Sequence, residues 1–275
     1  MADLAAKIMV GTGNSALTNN WQSFRHFHEA IKLRFGDQSS SIEDDAISSR
    51  SHLEHALAYD PFNWIARFNL ALALCKDNQP RTALEHFKIL EDVFTAVWRH
   101  SSAQDQMLGT GEGISFCRED HVAFKSVLRH VVDHPECPFL VLYNRAIALA
   151  SLRRSEERKG AIQILDEIGS LMNGENTSPL QYPYNEIVRK LNHRSRTELA
   201  LYALSTKANI LAGLRVAACL KQGSSQLGLD DTEGIRALTG QINNLCLREQ
   251  EYHWRSLQAA RAVSLTALAR VHMRR

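Results

Sequence analysis

One short pattern, written twice, constrains this chain more than any other feature. Phe68-Asn69-Leu70-Ala71-Leu72-Ala73-Leu74 and Tyr143-Asn144-Arg145-Ala146-Ile147-Ala148-Leu149 share the order aromatic-Asn-x-Ala-x-Ala-Leu. Each copy follows a Pro-containing turn, Asp60-Pro61-Phe62-Asn63 or His134-Pro135-Glu136-Cys137. Each precedes a helical stretch with a small residue and a large one four later, Ala83 and Phe87 or Ala161 and Leu165. The repeating unit is therefore a helix pair, used at least twice. A helix pair cannot bury its apolar face alone, so such units stack.

The remaining sequence also reads as helix. Apolar residues recur at three- and four-residue steps over residues 15–35, 43–59, 63–77 and 81–100, and again over 118–133, 139–152 and 156–171. Sustained alternation rich in Val, Ile and Thr is missing, which argues against strands. Residues 101–116 and 173–184, rich in Gly or Pro, are expected to be irregular, as are 222–231. After a short helix, Ser195 and Glu198 have the spacing of a capping box opening a long helix to about residue 221. That helix is apolar on most of its circumference, with Lys207, Arg215 and Gln222 on one stripe, and is expected at the centre of the C-terminal half. The fold class expected is all-α, with about ten helices.

The repeated unit resembles the tetratricopeptide repeat, a 34-residue helix pair with a small residue packed between its helices and Asp-Pro before the next unit. Leu53, Ala56, Leu57, Asp60 and Pro61 resemble the end of one unit. Leu70, Ala71, Leu74, Ala83 and Phe87 fit the next in uninterrupted register. Ala71 and Ala83 allow close helix approach, and Leu70, Leu74 and Phe87 fill the space between pairs. There are departures. Arg67 stands where a large apolar residue is usual, no Asp-Pro follows Phe94-Thr95, and the second copy needs about three extra residues before Ala161. The resemblance implies an α-solenoid of antiparallel helix pairs. It divides the chain into an array over 1–172, with repeat-like units around 43–100 and 118–172, and a C-terminal helical extension over 173–275.

Composition narrows the functional classes. Lys and Arg number 32 against 30 Asp and Glu, a net charge of +2, so nucleic acid is not an expected partner. No apolar run reaches the length needed to span a bilayer, and Met1-Ala2-Asp3-Leu4 is a poor start for a signal peptide. Five cysteines, Cys75, Cys117, Cys137, Cys219 and Cys246, are odd in number and contain no C-x-x-C, which fits a reducing, cytoplasmic setting. Residues 248–275 carry six arginines and two acids; Arg248, Arg255, Arg270 and Arg274 share an arc opposite Trp254, Leu257 and Leu268. The chain ends at Met273-Arg274-Arg275 without a stop signal, as expected of a fragment of a longer protein.

Catalytic and metal motifs are weak throughout. Gly109-x-Gly111-x-Gly113 lacks the Lys-Ser/Thr of a phosphate loop and follows no strand. Cys117, His121, His130, His134 and Cys137 make a metal-like composition, but His121 and His130 fall on opposite sides of one helix. His26 and His28, or His52 and His55, supply two ligands where zinc takes four. No catalytic residue, metal or cofactor is expected, and the chain is not expected to be an enzyme.

The resemblance implies a binding role. The first helices of each pair line the concave wall of a solenoid, so Ile65, Phe68, Asn69 and Leu72 from one unit, and Leu140, Tyr143, Asn144 and Ile147 from another, are the candidate groove residues. Asparagine suits such a wall because its amide both donates to and accepts from a peptide backbone. The expected function is a scaffold or sensor module binding a peptide or protein partner, as part of a larger signalling or defence protein. The alternative is a self-associating homo-oligomeric module whose groove is closed by its own C-terminal helices.

Overall fold

The computed structural model describes residues 18, 20–35, 42–107, 127, 133–152, 154–174, 183–222 and 229–248. Over these residues the chain is helical, without strands. The elements are α1 (Trp21–Phe35), α2 (Ile42–Tyr59), α3 (Trp64–Lys76), α4 (Pro80–Met107), α5 (Cys137–Ser151), α6 (Ser155–Met172), α7 (Tyr184–Lys190), α8 (His193–Gln222) and α9 (Leu229–Arg248). The Gly109–Gly113 run, Cys117, His121, His130, the cap-less C-terminus and the arginine face beyond Arg248 lie outside the described residues. So does nearly all of the helix expected over 118–133, of which Val127 is described as helical and buried.

The chain divides into two compact units, Met1–Ala148 and Leu149–Arg275. This division falls inside α5. In the first unit α1 packs on α2, α2 on α3, and α3 on α4. The buried face of α3 is Trp64, Ala66, Leu70, Ala71 and Leu74, and that of α4 begins with Ala83, Phe87, Leu90 and Phe94. Ala71 and Ala83 are completely enclosed, as the small-residue register requires. Trp64 meets Phe94 edge-on at 5.4 Å, and Phe68 meets Phe87 at 6.2 Å. Fully burying side chains of this size stabilises the folded state by about 1.5–3 kcal/mol each.

Local chemistry fixes where these helices start and stop. Asn20 begins α1: its carboxamide oxygen accepts the Gln22 and Ser23 amides at 2.9 and 3.1 Å. The start expected near residue 15 is thus moved inward, because an asparagine cap satisfies the first orphan donors. Asn63 caps α3 by accepting the Ala66 amide at 3.1 Å, while its own amide donates to the Ser23 hydroxyl at 3.0 Å. Ser23 in turn donates to the Ala56 carbonyl at 2.7 Å. Asn63 is completely buried, so one side chain both starts α3 and ties it to α1.

The α3–α4 turn closes a Schellman motif. Asn78 takes the left-handed conformation, φ 57°, while the Gln79 amide reaches the Leu74 carbonyl at 2.8 Å and the Asn78 amide reaches Cys75 at 3.3 Å. Asparagine tolerates this region better than other side chains, which is why no glycine is needed. Helix α4 continues to Met107, into the segment expected to be irregular from residue 101. Ser101 to Met107 holds no Gly or Pro, so nothing local stops it before Gly109.

In the second unit α8 packs against α6 and against α9, the central position expected from its apolar circumference. Ala208, Ala212, Ile235 and Leu238 form a core cluster there, flanked by Leu204 and Leu211. Lys207, on the polar stripe, pairs with Asp166 of α6. The capping expectation is corrected. The α8 cap is Asn192, whose side chain accepts the Ser195 amide at 2.8 Å. Glu198 meets Arg194 at 3.4 Å, one turn back on the outside of the helix. With the helix already begun at His193, Ser195 lies inside its first turn and its own amide is one of the orphan donors that Asn192 satisfies.

Candidate functional site

The eight candidate groove residues lie on two helices of the first unit. Ile65, Phe68, Asn69 and Leu72 project from α3, and Leu140, Tyr143, Asn144 and Ile147 from α5; all eight are partly exposed. They alternate around the helix with the buried positions, Leu70, Ala71 and Leu74 in the first copy and Val141, Leu142, Ala146 and Ala148 in the second. Phe68 serves both sides: its ring meets that of Phe87 in a T-shaped contact, and the side chain remains partly exposed.

The two asparagines make the same bond. The Asn69 amide donates to the Ile65 carbonyl at 2.9 Å, and the Asn144 amide donates to the Leu140 carbonyl at 2.8 Å. Each side chain folds back along its own helix by one turn, which the shared spacing allows. The bond engages one of the two amide hydrogens of each side chain. It also fixes the orientation of each side chain on its helix.

Charged groups border these faces. Arg67, the departure from the repeat pattern, is half-buried and donates to the Pro61 carbonyl at 2.9 Å. It lies 3.5 Å from His86 Nδ1. Burial lowers the His86 pKa and the Arg67 charge lowers it further, against Glu85 and Glu54. On α5, Arg145 reaches Glu91 of α4 at 2.7 Å. Burial raises the Glu91 carboxyl above its ordinary range, with Arg145 opposing the rise. Cys137 is held as a neutral thiol: burial, then Glu136, pushes its pKa up to about 12. That is the behaviour of a small apolar side chain and not of a nucleophile.

A third cluster was not read from the sequence. The histidines pair there as 26 with 28 and 52 with 55, whereas the structure joins His26 of α1 to His52 and His55 of α2 and adds Tyr59. His28 instead is exposed and stacks on Phe24 at 6.4 Å. The available signal was the spacing of His52, His55 and Tyr59, which places three rings along one face of a helix. Among the described residues, no group of three His, Cys, Asp or Glu side chains is arranged to hold a metal ion. Among those residues, too, no helix is long and apolar enough to cross a membrane.

Residues 52–85 match the family model described as Tetratricopeptide repeat. The match runs from the second half of α2, through all of α3, into the first turns of α4. No curated protein and no solved structure matches the chain.

Proposed function

We propose that this tetratricopeptide repeat-like chain is a protein-interaction module that holds an extended segment of a partner along the outward faces of α3 and α5. Repeats of this family generally mediate protein–protein interaction, and the match covers the helix that carries the first asparagine. The observation that carries the reading is the shared side-chain arrangement: Asn69 and Asn144 are held alike, each beside partly exposed aromatic and aliphatic neighbours. Amides at matching places on two helices suit a partner's repeating backbone, and Ile65, Leu72, Leu140 and Ile147 supply apolar contact. No catalytic step, metal or cofactor enters this reading. The module serves as a scaffold or sensor.

The test uses random peptides displayed on phage, selected against the parent chain. A selected peptide is then titrated against the Asn69→Ala/Asn144→Ala variant. Loss of each amide weakens binding by about 0.5–1.5 kcal/mol, with an unchanged circular dichroism spectrum. Equal affinity for parent and variant places the binding face elsewhere. Light scattering over a concentration range addresses the self-association alternative, which requires a mass that grows with concentration.

A further inference from the structure

Helix α1 meets α2 through a cluster of rings that the binding faces do not use. His26 Nδ1 lies 3.0 Å from His52 Nδ1, with ring centroids 5.3 Å apart. The His26 ring also stacks on His55 at 5.2 Å and 21°, and on Tyr59 at 5.6 Å and 11°. Hydrogen bonds between neutral groups flank the cluster on either side: Ser23 to the Ala56 carbonyl at 2.7 Å, and Ser49 to the Ala30 carbonyl at 3.0 Å.

We infer that the α1–α2 contact is a proton-sensitive latch, closed by the His26–His52 hydrogen bond and loosened when that pair takes up a further proton. Two facing ring nitrogens make a bond only when one carries hydrogen and the other a lone pair. A proton from solvent on the accepting nitrogen places two N–H groups head to head, so the bond is lost and replaced by repulsion. The surroundings add to the effect. His55 Nδ1 lies 2.7 Å from the Ser51 carbonyl and therefore carries hydrogen, which directs its dipole along its own helix. The groups acting on His26 are Arg25 and Glu29 from α1, and His52, His55 and Tyr59 from α2; Glu29 is the acid among them.

The direction of the pH effect follows from burial first, then from Arg25, His52 and His55, which together lower the His26 pKa below 6.5 against Glu29. A histidine depressed in the folded state leaves the unfolded chain binding more protons. Its stabilising contribution is complete above the ordinary imidazole value and is lost as pH falls through the folded value. The flanking serine bonds do not titrate, and the Asp60 carboxylate that accepts from the Thr18 hydroxyl lies beyond the end of α2.

The experiment follows the full chain by NMR and amide hydrogen exchange between about pH 7.5 and about pH 5.5. The expected result is a His26 titration below that of an ordinary histidine. Protection of the α1 amides, corrected for intrinsic exchange, should fall by at least about threefold in acid relative to α8. His26→Phe keeps a ring in the stack and removes the proton site, so its α1 protection should not fall. A His26 titration at or above the ordinary value overturns the latch, as does an equal loss of protection in the parent and the variant. The titration is read on the parent chain, so it decides even where His26→Phe does not fold.

Discussion

The two copies of the repeated pattern share a buried register and differ at their helix starts. On the first helices Trp64 with Phe139, Ala66 with Val141 and Ala71 with Ala146 are buried alike at a spacing of 75 residues, as Asn69 and Asn144 are partly exposed alike. On the second helices the buried residues correspond at 78: Ala83, Phe87, Leu90 and Phe94 with Ala161, Leu165, Ile168 and Met172. The three extra residues do not lengthen the turn, since three residues separate α3 from α4 and α5 from α6 alike. They extend α6 at its N-terminus, as Ser155-Glu156-Glu157. Two acids in that first turn favour the helix dipole where Arg154 makes no side-chain cap. Helix α3, by contrast, starts on the buried Asn63 cap, where α5 has Pro138 in its first turn and needs no amide there. The lesson is physical: the face that sets helix approach tolerates no shift, whereas a helix can be started by several chemistries.

The largest test of this correspondence empties equivalent core sites. Phe87→Ala should cost about 3–5 kcal/mol and Leu165→Ala about 2–5 kcal/mol in urea unfolding, since both side chains are enclosed. A loss below about 1 kcal/mol at Leu165 alone would break the 78-residue register.

A smaller effect is expected from overfilling. Ala71→Leu and Ala146→Leu add methylenes where no surface is exposed, and each should lower stability by about 1–3 kcal/mol. Thermal unfolding of the two variants compares the tightness of the copies directly. Unchanged melting of Ala71→Leu would count against the tetratricopeptide register itself.

The smallest effect separates the copies. Leu70 is buried, but its counterpart Arg145 is partly exposed and pairs with Glu91. Arg145→Ala should cost about 1–2 kcal/mol near neutral pH, because a largely buried carboxylate loses its partner. Glu91 is already raised in the folded state by burial, and loss of Arg145 raises it further. An acid raised on folding leaves the folded chain binding more protons, so its penalty is absent below the ordinary carboxylate range and grows as pH climbs through it. Unfolding at about pH 4 and about pH 7 should therefore show a steeper fall for Arg145→Ala than for the parent. Adding Glu91→Gln should remove the difference, and Leu70→Ala should show no such pH dependence.

Much of this was legible before any coordinates. The repeated pattern, the small residues at 71 and 83 and the start of α3 near Asn63 are local facts. Each depends on residues within a turn or two of one another, where helix geometry alone sets which side chains meet. The candidate face on α3 and α5 was legible for the same reason. The bonds from Asn69 and Asn144 to carbonyls one turn back were within reach of that logic, although the sequence reading assigned both amide ends to a partner. The sequence placed the α8 cap at Ser195 because Asn192 and Ser195 can each cap a helix, starting it three residues apart, and only the backbone path selects one.

Other pairings were invisible. His26 meets His52 across 26 residues, Lys207 meets Asp166 across 41, and Arg145 meets Glu91 across 54. Such contacts depend on how far each helix is rotated and displaced along its neighbour, and periodicity says only which face is apolar. The sequence by itself therefore determined the helices and the faces that pack, whereas the residues that cap α1 and α8 were settled by the folded backbone. The choice of polar partner across a helix contact was decided by tertiary packing, because a shift of one residue turns a helix by about 100° and brings a different side chain to the same place.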